Sequence, residues 1–113
     1  MGSDRVQLLQ GTLDLLVLQT LVFGPRHGHG IATAIQQTSE DVLLIDHGSL
    51  YPALQRLERA RLISSGWGVS ENNRRACFYT LTKKGRTRLT AETRKWETMV
   101  RAVGRILKPL EAR

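Results

Sequence analysis

The residues of this chain best equipped for chemistry are hydrogen-bond donors with positive charge, not nucleophiles. Positions 48–60 carry Ser49, Tyr51, Gln55, Arg56 and Arg59, and positions 70–75 add Asn72, Asn73, Arg74 and Arg75, with Lys83 and Lys84 following. Arginine can pair bidentately with guanine and glutamine with adenine, which makes Arg56 and Gln55 the candidates for reading base edges. The Tyr51 hydroxyl and the guanidinium groups of Arg74 and Arg75 suit phosphates or the minor groove. Lys83 and Lys84 suit general attraction to a backbone. Between Gly48 and Leu89 there are nine Lys and Arg against two acids, Glu58 and Glu71. That excess equals the formal net charge of +7 for all 113 residues, so the rest of the chain is neutral on balance. A basic excess confined to one module is the electrostatic footprint of a phosphate-backbone partner. For each of these residues the plainer reading is a solvated, solubilising face.

Other chemistries find less support. His27, His29, His47 and Cys77 could be assembled into four metal ligands, but no Cys-x-x-Cys or His-x-x-x-His spacing joins them. No metal or cofactor is therefore expected, and His27 is better suited to capping or packing a helix. Gly28-x-Gly30 lacks the third glycine and the Lys-Ser/Thr of a phosphate loop. No motif sets a nucleophile beside a base, so no enzymatic activity is expected. The single cysteine excludes an internal disulfide and suits a reducing compartment. The longest apolar run, Leu13 to Phe23, is interrupted by Asp14, Gln19 and Thr20 and is too short to span a bilayer. No export signal opens the chain, so a cytoplasmic protein with no membrane partner is expected.

Positioning these donors falls to a small set of elements. A first helix is expected from about Thr12 to Val22, with Thr12 as cap, Asp14 in the first turn and Gly24-Pro25 as its stop. A second should run from Gly28 or Gly30 to Gln37 and bury Ile31, Ala34 and Ile35. The run from Asp41 to Ile45 reads as an edge strand or a loop packed on the core. In the third helix Pro52 lacks an amide hydrogen and belongs in the first turn, which makes Ser49 the expected cap. Leu50, Leu54 and Leu57 then face inward, leaving Ser49, Tyr51, Gln55, Arg56 and Arg59 outward. A hairpin follows, pairing Ile63–Val69 with Cys77–Leu81 across a turn in which asparagine tolerates left-handed geometry. One long helix from Thr82 to Lys108, stopped by Pro109, closes the chain. Its heptads place Leu89, Trp96, Val103 and Leu110 at a, Met99 and Ile106 at d, and Val100 and Leu107 at e. A stripe so far along a projecting helix implies a second copy of the chain.

The order of three helices, a two-stranded wing and a long helix resembles the PadR-like family of bacterial winged-helix transcriptional regulators, in its short form. The resemblance covers about residues 9–107. It rests on Gly11-Thr12-Leu13-Asp14-Leu15-Leu16, Gly24-Pro25-Arg26-His27-Gly28-His29-Gly30-Ile31, Gly48-Ser49-Leu50-Tyr51-Pro52-Ala53-Leu54 with Arg56-Leu57-Glu58, and Tyr79-Thr80-Leu81-Thr82 with Gly85. It departs from the family at His29, where tyrosine is usual, and at Arg61, where glycine would take a left-handed turn freely.

The resulting expectation is a mainly α fold with a small β-hairpin: a winged helix-turn-helix over residues 1–81 and a dimerisation helix over 82–113. What the resemblance implies is a homodimeric repressor that places the third helix in the major groove of a palindromic, double-stranded operator and lays the wing along the backbone or minor groove. The expected dimer seam is Leu89, Trp96, Met99, Val100, Val103, Ile106 and Leu107. Trp96 also offers a platform for a small aromatic effector at that seam, as resemblance to drug-sensing members suggests. A winged-helix adaptor for an acidic protein and a nonspecific nucleoid-binding protein are the alternatives.

Overall fold

The computed structural model describes residues 10–108. Helix α1 (Gln10–Thr20) continues into a short 3-10 turn (Leu21–Phe23). Strand β1 (Arg26–His27), α2 (Gly28–Thr38), α3 (His47–Arg59), β2 (Ile63–Val69), β3 (Arg75–Leu81) and α4 (Lys83–Leu107) follow. The mainly α winged helix expected from the sequence is the fold observed. The strands form one antiparallel sheet in the order β1-β3-β2, with Ile63 opposite Leu81, Trp67 opposite Cys77 and Val69 opposite Arg75.

Helix α1 is apolar on nearly every side because other elements surround it. Leu13, Val17 and Leu18, with Leu21 just beyond, meet Ile31, Ala32 and Ile35 of α2, Leu50, Ala53, Leu54 and Leu57 of α3, and Leu89 of α4 in one buried cluster. Burying each of these leucine, isoleucine and valine side chains contributes about 1.5–3 kcal/mol.

Several boundaries differ from expectation. Thr12 lies inside α1, not at its cap, and Asp14 is no longer in a first turn. In α2 it is Ala32 that is buried, whereas Ala34 is partly exposed. The third strand is Arg26–His27, paired with β3, and not the 41–45 segment. Glu40 and Asp41 both take positive φ there, which breaks any strand, while Leu43 and Ile45 pack as a loop against the core. Helix α3 starts a turn earlier than Ser49: Asp46 is the cap, its Oδ1 accepting the Ser49 amide at 2.8 Å. Asp46 is a strong capping residue, so the helix gains its start there and places Pro52 in the sixth position. The only intrahelical bond lost is the one to the carbonyl of Gly48, which is exposed to water. The expected stop at Pro109 and the Leu110 heptad position lie outside the described residues.

Two junctions hold α3 and the hairpin to α4. Thr82 caps α4, accepting the Gly85 amide at 3.0 Å and donating its hydroxyl to the Arg61 carbonyl at 2.8 Å. Gly85 passes so close to β2 that a Cβ there would drive into the Leu62 carbonyl, so the crossing needs glycine.

Helix α3 ends in a Schellman-type turn, with the Leu62 amide bonded to the Leu57 carbonyl and the Arg61 amide to the Glu58 carbonyl. Arg61 occupies the left-handed position of that turn at φ 62°. An L side chain there costs roughly 1–2 kcal/mol. Arg61→Gly is therefore expected to raise stability by about 1 kcal/mol, read as a melting temperature a few degrees higher. An unchanged or lower melting temperature would show that the Arg61 side chain offsets its own strain.

Candidate nucleic-acid interface

Helix α3 buries Leu50, Ala53, Leu54 and Leu57 and turns Ser49, Tyr51, Gln55 and Arg59 to solvent. Arg56 does not join them. Its Nη2 donates to Asp14 Oδ1 at 2.8 Å, across 42 residues, and its side chain is only 33% exposed. Its Nε is buried with no acceptor among the described residues. The helical period explains the difference: Arg56 sits next to the buried stripe and faces α1, where Asp14 meets it. Expected from the sequence to face outward with Gln55, Arg56 is instead partly buried and ties α3 to α1 through Asp14.

The wing carries its donors at the tip. Arg74, Arg75, Asn72 and Asn73 are all exposed, and Asn73 takes φ 60° as the left-handed residue of the turn. Ser70 closes that turn, its amide donating to the Arg74 carbonyl at 2.8 Å and its carbonyl accepting from the Asn73 amide at 2.8 Å. Lys83 is exposed, whereas Lys84 Nζ donates to the Ala60 carbonyl at 3.1 Å and so steadies the end of α3.

Between the wing and the helices runs an open groove of about 1040 Å³. Tyr51 of α3, His29 at the start of α2, and Trp67, Arg75 and Tyr79 of the wing all line it. Tyr51 lies directly over Gly28, where a Cβ would meet its hydroxyl at 2.7 Å. Burial, reinforced by the neighbouring Cys77 side chain and the Glu58 carboxylate, pushes the Tyr79 hydroxyl up to about 12.

The three histidines that the sequence offered as a possible but poorly spaced ligand set do come together beside this groove. The rings of His27, His29 and His47 lie in a row at centroid separations of 6.4 and 6.3 Å, and His47 abuts Tyr51 at 5.7 Å. His27 caps α2, its Nδ1 accepting the Gly30 amide at 3.0 Å, while its Nε2 lies 3.5 Å from Glu71 in the wing turn. The accepting Nδ1 fixes the tautomer and leaves Nε2–H to point at the wing. The adjacency of His27 and His29 was legible; that of His47, eighteen positions on, was not.

Helix α4 divides into two parts. Leu89 is buried in the chain's own core, which removes it from the expected dimer seam. Beyond it Trp96, Met99, Val100, Val103, Ile106 and Leu107 are exposed, Trp96 at 40% and Ile106 at 73%. Among the described residues no helix is long and apolar enough to cross a membrane.

The Arg56–Asp14 pair generates a prediction. Charged hydrogen bonds contribute roughly 1.5–3 kcal/mol, and breaking a half-buried pair strands the partner. Asp14→Asn should lower stability by about 1–3 kcal/mol in chemical denaturation, and Arg56→Ala by a similar amount. A double variant costing no more than either single one would confirm that the two residues act as one unit; additive losses would contradict it.

Comparison with known proteins agrees with this geometry. Residues 17–91 match the family model of the transcriptional regulator PadR-like family. A transcriptional regulator from Clostridium thermocellum shares 26% identity and superposes with a TM-score of 0.77, covering 85% of this chain and 90% of that one. A PadR family transcription regulator from Clostridium difficile shares 27% identity at a TM-score of 0.74, covering 86% and 99%. An uncharacterized protein X of Lysinibacillus sphaericus is 26% identical over 108 residues, 95% of this chain and 98% of that one. With the family match spanning most of the chain and the winged helix carrying its donors where a duplex can reach them, the protein belongs to the PadR-like family of transcriptional regulators.

Proposed function

We propose that this regulator is a homodimeric repressor that occupies a palindromic operator in double-stranded DNA. The observation that carries the proposal is the division of α3: its apolar stripe is buried in the core, while Ser49, Tyr51, Gln55 and Arg59 are exposed on the other side. Gln55 reads base edges in the major groove, and Arg59 and the Tyr51 hydroxyl bind the backbone or neighbouring bases. Asn72, Asn73, Arg74 and Arg75 of the wing contact phosphates or the minor groove, with Lys83 and Lys84 adding attraction. The protein acts in the cytoplasm by occupancy, excluding polymerase, and not by turnover.

The second copy is supported by the exposed stripe Trp96, Met99, Val100, Val103, Ile106 and Leu107, too apolar to be left in water. Two-fold symmetry then sets half-sites about one helical turn apart. Trp96, at this seam, is the place for a small planar aromatic effector, which would release DNA by changing the separation of the two wings.

Fluorescence anisotropy on the duplex upstream of the protein's own gene, against a shuffled duplex, tests the operator. A preference that persists at physiological salt is expected, and Gln55→Ala should reduce that preference by about tenfold while sparing binding to the shuffled duplex. Equal affinities that fall together with salt would leave only phosphate attraction and favour nucleoid binding; no affinity for either would favour the adaptor. Sedimentation of Val103→Glu tests the seam. A folded monomer is expected, and a folded dimer would contradict this interface.

A further inference from the structure

The exposed tryptophan of the wing has no structural duty that explains it. On β2 and β3 the cross-strand register puts Ile63, Ser65, Trp67 and Val69 on one face with Leu81, Tyr79, Cys77 and Arg75. At its base this face is committed: Ile63, Tyr79 and Leu81 are buried, and Ser65 Oγ donates to Glu58 Oε2 of α3 at 2.6 Å. Further out it leaves α3 behind, and Trp67 stands 68% exposed. The Arg75 guanidinium lies 4.6 Å from the Trp67 ring centroid. That distance makes a cation–π contact, and among the described residues no hydrogen bond engages the Arg75 guanidinium.

We propose that Trp67 and Arg75 form a preorganised pair that binds the sugar–phosphate backbone of DNA in the groove between the wing and Tyr51. This rests on the DNA-binding reading above and adds a contact residue, Trp67, to it. Charge complementarity identifies the occupant. The groove is lined by three arginines, Arg26, Arg74 and Arg75, against one carboxylate, Glu71, which already faces His27 at 3.5 Å. Tyr51 belongs both to this groove and to the free face of α3, so a duplex seated on that helix continues into it. Trp67 holds the guanidinium in place and offers its remaining surface to a deoxyribose, which has apolar faces beside the phosphate. Arginine held over a ring offers a planar fork of donors, whereas a lysine at the same position would supply only a point charge.

Tryptophan fluorescence and anisotropy are read together on the upstream duplex, using wild-type protein, Trp67→Phe, Trp67→Ala and Arg75→Lys. Wild-type emission is expected to change as DNA is added and to saturate with the anisotropy. That change should vanish in Trp67→Phe, which retains only Trp96. Trp67→Ala and Arg75→Lys should each weaken binding about three- to tenfold, the latter with an unaltered salt dependence because the charge is kept. Trp67→Phe, which still presents a ring to Arg75, should weaken it less. Thermal melts verify folding, which an exposed position leaves intact. Emission that ignores DNA while anisotropy reports binding overturns the pair and leaves the DNA-binding reading standing. So does an Arg75→Lys protein that binds as the wild type does. Loss of anisotropy change on every duplex, by contrast, removes the DNA-binding reading and this inference with it.

Discussion

The seating of α3 on α1 is the constraint from which the rest of the molecule follows. Leu50, Ala53, Leu54 and Leu57 press into the cluster around Val17 and Leu18, and Arg56 ties the same helix to Asp14 at 2.8 Å. Apolar packing sets the depth of the helix but slides easily along its axis; a directional charged hydrogen bond resists rotation and translation. With both in place only one side of α3 remains free. Its length of 13 residues then fixes which donors that side presents.

Everything else holds this surface at a definite angle to the wing and to the long helix. The turn after α3 runs directly into β2, and Thr82 bonds back to Arg61, so recognition helix, wing and α4 meet at a single junction. Gly85 allows that junction to close tightly. The wing is anchored at its base by Ser65 and Glu58 and faces the start of α2 through Glu71 and His27. Thr82 joins α4 to the end of α3 and the start of β2 with no intervening linker.

Much of this was legible in the sequence because periodicity and turn chemistry are local signals. The hairpin over Ile63–Val69, the Thr82 cap, the span of α2 and the strained Arg61 position could all be read from neighbouring residues. The errors share another origin. The partial burial of Arg56 is not legible locally, because it depends on Asp14, whose proximity is set by how two helices cross. Leu89 looked like part of a seam because heptad phase says nothing of where the core ends. Of the two readings of the 41–45 run, the loop packed on the core holds, while the third strand forms at Arg26–His27, where β3 offers a free edge. The meeting of His27, His29 and His47 likewise arises from tertiary geometry alone.

On the proposed reading, the exposed side of α3 and the inner face of the wing are the surfaces that meet DNA. Hydroxyl-radical footprinting of the protein's side chains, with and without the upstream duplex, tests it directly. The account predicts that Tyr51 and Trp67 lose reactivity together on binding, while exposed Ile106 near the end of α4 does not change. Protection confined to α4, with Tyr51 and Trp67 as reactive as in the free protein, would contradict it.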